Sequence, residues 1–205
     1  MSSSKFHVLY SDVGGVLGTN GWDTRLRQKI AAHFDVDLDR IESRHHLVFD
    51  SYERGHMSFE DYLRSVFFDV PRPFTVEQVR DYTYNESVVW RENVDFLKQI
   101  KLLNGLKIAL ISNEGRGLTE HRVRKFRLRE VAEFMIFSNC VGYRKPDREI
   151  WRLALDLAQA QPHESIYVDD RKMFVDIAAD MGFTAIHYVS LEDSSKRLRE
   201  SGLVV

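Results

Sequence analysis

Four short, unbroken apolar runs punctuate the chain: HVLYSD (His7–Asp12), KIALISN (Lys107–Asn113), SIYVDD (Ser165–Asp170) and TAIHYV (Thr184–Val189). A weaker fifth is FMIFSN (Phe134–Asn139). None alternates apolar with polar, as a strand with one wet face would. Each is therefore expected to be a strand covered on both faces, the habit of a parallel sheet. Beyond Gly105, helical patterns separate the runs. Leu118–Arg129 is basic and amphipathic. Asp147–Ala160 opens on Pro146-Asp147 and sets Ile150, Trp151, Leu153, Ala154, Leu157 and Ala158 at helical spacing; Met173–Met181 stops at Gly182. Strands alternating with helices imply right-handed βαβ crossovers. The fold class predicted is α/β, a doubly wound parallel Rossmann-like sheet.

Residues 22–84 break this rhythm. They contain no convincing strand and predict helices near Asp23–Phe34, Leu38–Tyr52, Ser58–Phe67 and Thr75–Asn85. Ser58 reads as an N-cap with Asp61 in the first turn. Pro71 and Pro73 mark a break. A small all-helical cap inserted after the first strand accounts for the pattern. It divides the chain into a core of residues 1–21 and 86–205 and a cap of residues 22–85.

Charge narrows the partners. The 205 residues carry 29 Lys plus Arg against 31 Asp plus Glu, a net charge of −2. That balance argues against a nucleic-acid or polybasic membrane partner. No run of about 18 apolar residues exists, and Met1–Lys5 is polar, unlike the apolar core of a signal peptide. A cytoplasmic protein is expected. Cys140, the lone cysteine, excludes an internal disulfide and reads as a small core residue rather than a nucleophile. The oligomeric state is left open.

Ligands of an open parallel sheet bind beyond the carboxyl ends of its strands, so the residues that end the runs carry the chemistry. They are Asp12, Ser112-Asn113 and Asp169-Asp170, with Lys145 just before a predicted helix start. Clustered carboxylates repel unless a cation or proton sits among them. Carboxylates at a sheet edge suit Mg²⁺, which takes few protein oxygens alongside water and phosphate. A lysine and a hydroxyl beside them suit the oxygens of a phosphoryl group, and an Asp can itself attack phosphorus. Gly14 and Gly15 allow a sharp turn and close backbone approach. Each residue also has an ordinary reading, as turn Asp, helix N-cap, surface lysine or strand-end hydroxyl. It is their joint occurrence that points to a site.

The series Asp12-x-Gly14-Gly15-Val16-Leu17, Ser112-Asn113, Lys145-Pro146 and Asp169-Asp170 resembles the four motifs of the haloacid dehalogenase-like hydrolase superfamily. The helical insertion resembles its helical-cap subclass, subfamily IA. The resemblance covers nearly the whole chain and implies the following roles. Asp12 would be the covalent nucleophile and a ligand of Mg²⁺. Gly14 would offer its carbonyl to the metal. Ser112 would bind the transferred phosphoryl group with Asn113 in support, and Lys145 would neutralise its charge. Asp170 would ligate Mg²⁺ directly, and Asp169 directly or through water. The activity implied is hydrolysis of a small phosphorylated metabolite, a sugar phosphate above all, through an aspartyl phosphate.

Two positions depart from that pattern. Most phosphatases of the superfamily carry an acid two residues after the nucleophile, where this chain has Gly14. A branch that includes sugar-phosphate phosphatases such as α-glucose-1-phosphate phosphatase shares the glycine. Phe174 stands where many relatives have Asn. The rival expectation is a phosphate- or metabolite-binding protein that lost turnover. Dehalogenase chemistry would leave Asp169-Asp170 unexplained, and mutase chemistry needs the acid that Gly14 lacks. His45, His46, Glu53, Arg54 and His56 are the cap's titratable candidates to replace the acid. Trp22 is expected to pack within the cap near the rim. EHRVRKFRLRE (Glu120–Glu130) reads as a solvated basic face.

Overall fold

The computed structural model describes residues 5–205; Met1–Ser4, on which part of the leader argument rests, lie outside the described residues. The five apolar runs are strands: β1 (Val8–Ser11), β2 (Lys107–Ser112), β3 (Phe134–Phe137), β4 (Ser165–Asp169) and β5 (Thr184–His187). They pair parallel throughout, in the order β3-β2-β1-β4-β5. The first strand is thus central. Tyr10 sits opposite Ala109 on one side and Tyr167 on the other.

Continuous apolar runs arise because both faces of this sheet are covered. Leu9, Ile108, Leu110, Ile166 and Val168 point into one core. Val8, Tyr10, Ala109, Ile111 and Tyr167 point into the other. All ten are buried.

The described residues also form ten α-helices: α1 (Thr24–His33), α2 (Leu38–Glu53), α3 (Phe59–Phe67), α4 (Val76–Glu86), α5 (Arg91–Asn104), α6 (Arg116–Lys125), α7 (Ser138–Val141), α8 (Arg148–Ala158), α9 (Lys172–Asp180) and α10 (Leu191–Glu200). Val94, Leu97 and Ile100 of α5, with Leu198 of α10, fill the first core. Ile150, Trp151 and Ala154 of α8, with Phe174 and Ala178 of α9, fill the second. Helices α1 to α4 surround a third cluster of their own, including Ile30, Ile41, Phe59, Tyr62 and Val79. Ser58 caps α3 by accepting from Asp61 N at 3.0 Å, and Thr75 with Gln78 forms a capping box on α4.

The segments leading into and out of these four helices run side by side. Thr19 N donates to Val88 O at 2.9 Å and Trp90 N to Leu17 O at 2.9 Å. The Thr19 hydroxyl donates to Glu86 O at 3.1 Å and accepts from Val88 N at 3.0 Å. Among the described residues, no helix is long and apolar enough to cross a membrane.

Candidate active site

Because β1 lies between β2 and β4, the residues that end these strands meet on one rim. Asp12 directly follows β1, and its N–H donates to Val168 O at 2.9 Å. Ser112 ends β2, and Asp169 ends β4. Lys145 reaches this rim from the turn before α8, although its side chain is only 1% exposed. Its Nζ lies 2.6 Å from Asp169 Oδ2, 3.2 Å from Asp12 Oδ2 and 3.2 Å from Ile111 O. Asn113 clamps the lysine's backbone: Asn113 Nδ2 donates to Lys145 O and Lys145 N to Asn113 Oδ1, both at 2.8 Å. Both ends of that amide engage the lysine's backbone, so the side chain braces Lys145.

The three carboxylates Asp12, Asp169 and Asp170 bring one oxygen each within 4.8 Å of one another. Burial, the largest influence, pushes the Asp12 carboxyl up to about 6; Lys145 pulls it down, Asp169 and Asp170 push it up, and the Ser112 hydroxyl pulls it down. Burial alone would pull the Lys145 ammonium down, but Asp12 and Asp169 outweigh it and hold it above its ordinary value. Burial also raises Asp170, against a hydrogen bond from Asn20.

The two acids of the last motif differ in how they are satisfied. Asp169 is saturated, taking Lys145 Nζ and the Tyr167 hydroxyl on Oδ2 and Arg171 N at 2.8 Å on Oδ1. Asp170 takes Asn20 Nδ2 at 3.2 Å on Oδ2, while its Oδ1 is buried with no partner. A buried carboxylate oxygen without a donor is costly unless something cationic meets it. Gly15, at φ +70°, makes room for that carboxylate, since a methyl there would run into Asp170. An all-oxygen donor set with an orphaned oxygen fits a hard divalent cation.

The pocket in front of Asp12 is walled by Asn20, Trp22, Tyr52, Glu53, Glu114 and Arg122 besides the motif residues. Trp22 packs edge-on against Phe59 and Tyr62 and donates Nε1 to the Tyr62 hydroxyl at 2.6 Å. Of the titratable candidates in the helical segment, only Glu53 lines this pocket. It is paired with Arg144 at 2.6 Å. His45 is buried with Nδ1 2.6 Å from the Tyr62 hydroxyl, and His46 and His56 are exposed. Arg54 reaches Asp147 at 3.0 Å and Gly142 O at 2.8 Å.

Three expectations need correction or extension. Arg122, placed on a solvated face, is fully buried: it pairs with Glu114 and donates to Thr19 O. Burial pulls its guanidinium down to about 10, and Asp12 opposes that pull. Cys140, placed in the core, is exposed, because the short α7 turns it outward while Ser138 and Asn139 are buried. Phe174 lines the pocket beside Lys145, whose Nζ lies 5.1 Å from its ring. The Glu114–Arg122 pair and Asn20 carried no strand-end signal. Only the side-by-side position of Glu114 and the Ser112-Asn113 motif marks one of them in the sequence.

The family model for haloacid dehalogenase-like hydrolases matches residues 33–187. A phosphorylated carbohydrates phosphatase of Thermotoga maritima is 31% identical over 116 residues, 56% of this chain and 51% of that protein. The match thus spans about half the length of that curated relative. A chloroplast flavin mononucleotide hydrolase of Arabidopsis thaliana is 23% identical over 181 residues, 87% of this chain and 72% of the relative. Among solved structures, the HAD family enzyme BT-2542 of Bacteroides thetaiotaomicron, in complex with magnesium and inorganic phosphate, superposes with a TM-score of 0.77 at 21% identity. It covers 93% of this chain and 98% of its own. The matched span takes in α2 to α9, strands β2 to β5 and Lys145, and with it this chain belongs to the haloacid dehalogenase-like hydrolase family.

Proposed function

We propose that this chain is a Mg²⁺-dependent phosphohydrolase that works through an aspartyl phosphate on Asp12. Its substrate is a small phosphorylated metabolite, with sugar phosphates the first class to test. The observation that carries the proposal is Asp12 itself: a buried carboxylate with Oδ2 3.2 Å from Lys145 Nζ, inside a three-carboxylate cluster at the end of the central strand. The phosphatase name of the Thermotoga relative and the magnesium and phosphate of the structural relative support it. Residues 22–85 are proposed to act as a cap over a core of residues 1–21 and 86–205; Trp22, Tyr52 and Glu53 line the pocket from that side.

The residues divide the work. Val13 N holds Asp12 Oδ1 at 2.8 Å, which aims the carboxylate at the pocket. Asp12 attacks phosphorus in line with the departing oxygen, and water later cleaves the acyl phosphate. Lys145 and Ser112 neutralise and hold the phosphoryl oxygens during transfer. Mg²⁺, when bound, supplies charge neutralisation at those oxygens. Asp12, Asp170 and the Gly14 carbonyl would hold it, with Asp169 acting through water because its oxygens are already engaged.

Phosphate release from a sugar-phosphate panel, with and without chelator, tests the proposal. Wild type is expected to release phosphate only with Mg²⁺, and Asp12→Asn to lose it. Equal activity in Asp12→Asn sinks the nucleophile. A second reading is binding without turnover, favoured by the bare Gly14; a stable aspartyl phosphate that forms once and is not released would select it.

A further inference from the structure

Asn20 occupies the space that a side chain on residue 14 would fill. A methyl on Gly14 would lie 2.7 Å from Asn20 Oδ1, while the Nδ2 of the same amide donates to Asp170 Oδ2. This placement is built from both sides. Thr19 is fixed by Glu86 and Val88 and gives its carbonyl to Arg122. Gly21 leaves room for Leu118 and Arg122, which a methyl there would meet at 2.6 and 2.8 Å. An amide does not exchange a proton with a leaving group.

The carboxylates that wall the pocket beyond the motif acids are engaged elsewhere. Glu114 is paired with Arg122 and Glu53 with Arg144. Asp23 Oδ1 accepts from Leu26 N at 2.8 Å. The Tyr52 ring is packed against Gly115, where a methyl would overlap it, and its hydroxyl is buried without a partner, with burial holding its pKa well above the ordinary phenol range.

We propose that Asn20, standing in for a side chain at Gly14, makes the pocket selective for phosphates whose departing oxygen is already a weak base. Acyl phosphates, phosphoanhydrides and aryl phosphates are then taken ahead of esters of ordinary alcohols, primary-alcohol sugar phosphates included. This deepens the phosphohydrolase proposal and rests on it. In the transfer step an Asp12 oxygen forms a bond to phosphorus and the bond to the leaving oxygen breaks. The electron pair stays on that oxygen, which departs as a carboxylate, phosphate or phenolate. An alcohol ester would have to expel an alkoxide, without the roughly 10²–10⁴-fold help of a general acid. Asn20 holds Asp170 in place and offers the departing oxygen no proton.

The test is kcat/KM for acetyl phosphate, a series of substituted phenyl phosphates and glucose 6-phosphate, with Mg²⁺ present. In wild type the rates climb steeply with the acidity of the phenol, and acetyl phosphate exceeds glucose 6-phosphate by about 10²-fold or more. Gly14→Asp combined with Asn20→Gly puts a carboxyl in the vacated space and narrows that gap about tenfold or more. Asn20→Asp makes the same test with the least change of shape, should the double variant not fold. A flat dependence on leaving-group acidity in wild type overturns the proposal. So does an unchanged gap in a folded variant, or a slope steepened by Asp23→Asn or Tyr52→Phe, which would expose a proton donor. Failure to release phosphate from every probe overturns the phosphohydrolase proposal itself.

Discussion

Lys145 Nζ stands closer to Asp169 Oδ2, at 2.6 Å, than to Asp12 Oδ2, at 3.2 Å. The ammonium leans on the acid that is otherwise saturated and leaves Asp12 the looser partner. A buried charge stripped of its counter-charge typically costs about 3–5 kcal/mol. Lys145→Met is therefore expected to destabilise the fold by about that much in urea unfolding. Lys145→Met combined with Asp169→Asn is expected to cost less than the sum of the two single changes. Strict additivity would show that the pair is not coupled.

Gly15 combines a left-handed backbone with contact against the Asp170 carboxylate. Gly15→Ala must strain the turn and displace that carboxylate together. The expected result is a loss of about 1–3 kcal/mol in stability and weaker Mg²⁺ binding by calorimetry. Gly105 also has positive φ but nothing within 4 Å of an added methyl. Gly105→Ala should therefore weaken stability without touching Mg²⁺ affinity.

His45 gives the stability a pH window. Burial above all, then nearby Arg27, lowers its pKa from 6.5 to about 4, against the opposing pull of Glu42. Between those values the unfolded chain binds a proton that the folded chain does not, so stability falls as pH drops from about 6.5 toward 4. The full effect is roughly 3 kcal/mol, at about 1.4 kcal/mol per unit. The Tyr62 hydroxyl, which accepts from Trp22 Nε1, has its own proton to give to His45 Nδ1. His45→Gln keeps an acceptor there and is expected to flatten the decline in urea midpoint between pH 7 and 5. A variant that declines as steeply as wild type would assign the slope to other groups.

The parallel sheet was legible because strands buried on both faces leave unbroken apolar runs, and all five runs are strands. The rim was legible because a parallel sheet sends its strand ends to one side, which brings Asp12, Ser112 and Asp169 together from distant positions. Helices α5 and α10 escaped because charged residues interrupt their apolar spacing, although Val94, Leu97 and Ile100 recur at helical intervals before Gly105. Arg122 was misread for a deeper reason. Its burial depends on Glu114, eight residues earlier, and on the bare backbone of Gly21, about a hundred residues away. Asn20 escaped likewise, because only the turn at Gly15 folds it back beside Gly14.

The paired entry and exit of the four-helix segment has a consequence for how such a chain diversifies. Thr19 and Val88 meet through backbone hydrogen bonds, so everything between them leaves the sheet and returns at a single seam. Insertions, losses or wholesale exchange of the intervening helices leave the strand order untouched. The part of the sequence that walls the pocket from above can therefore drift quickly, while the part that holds the reactive carboxylates stays under the constraints of a sheet covered on both faces.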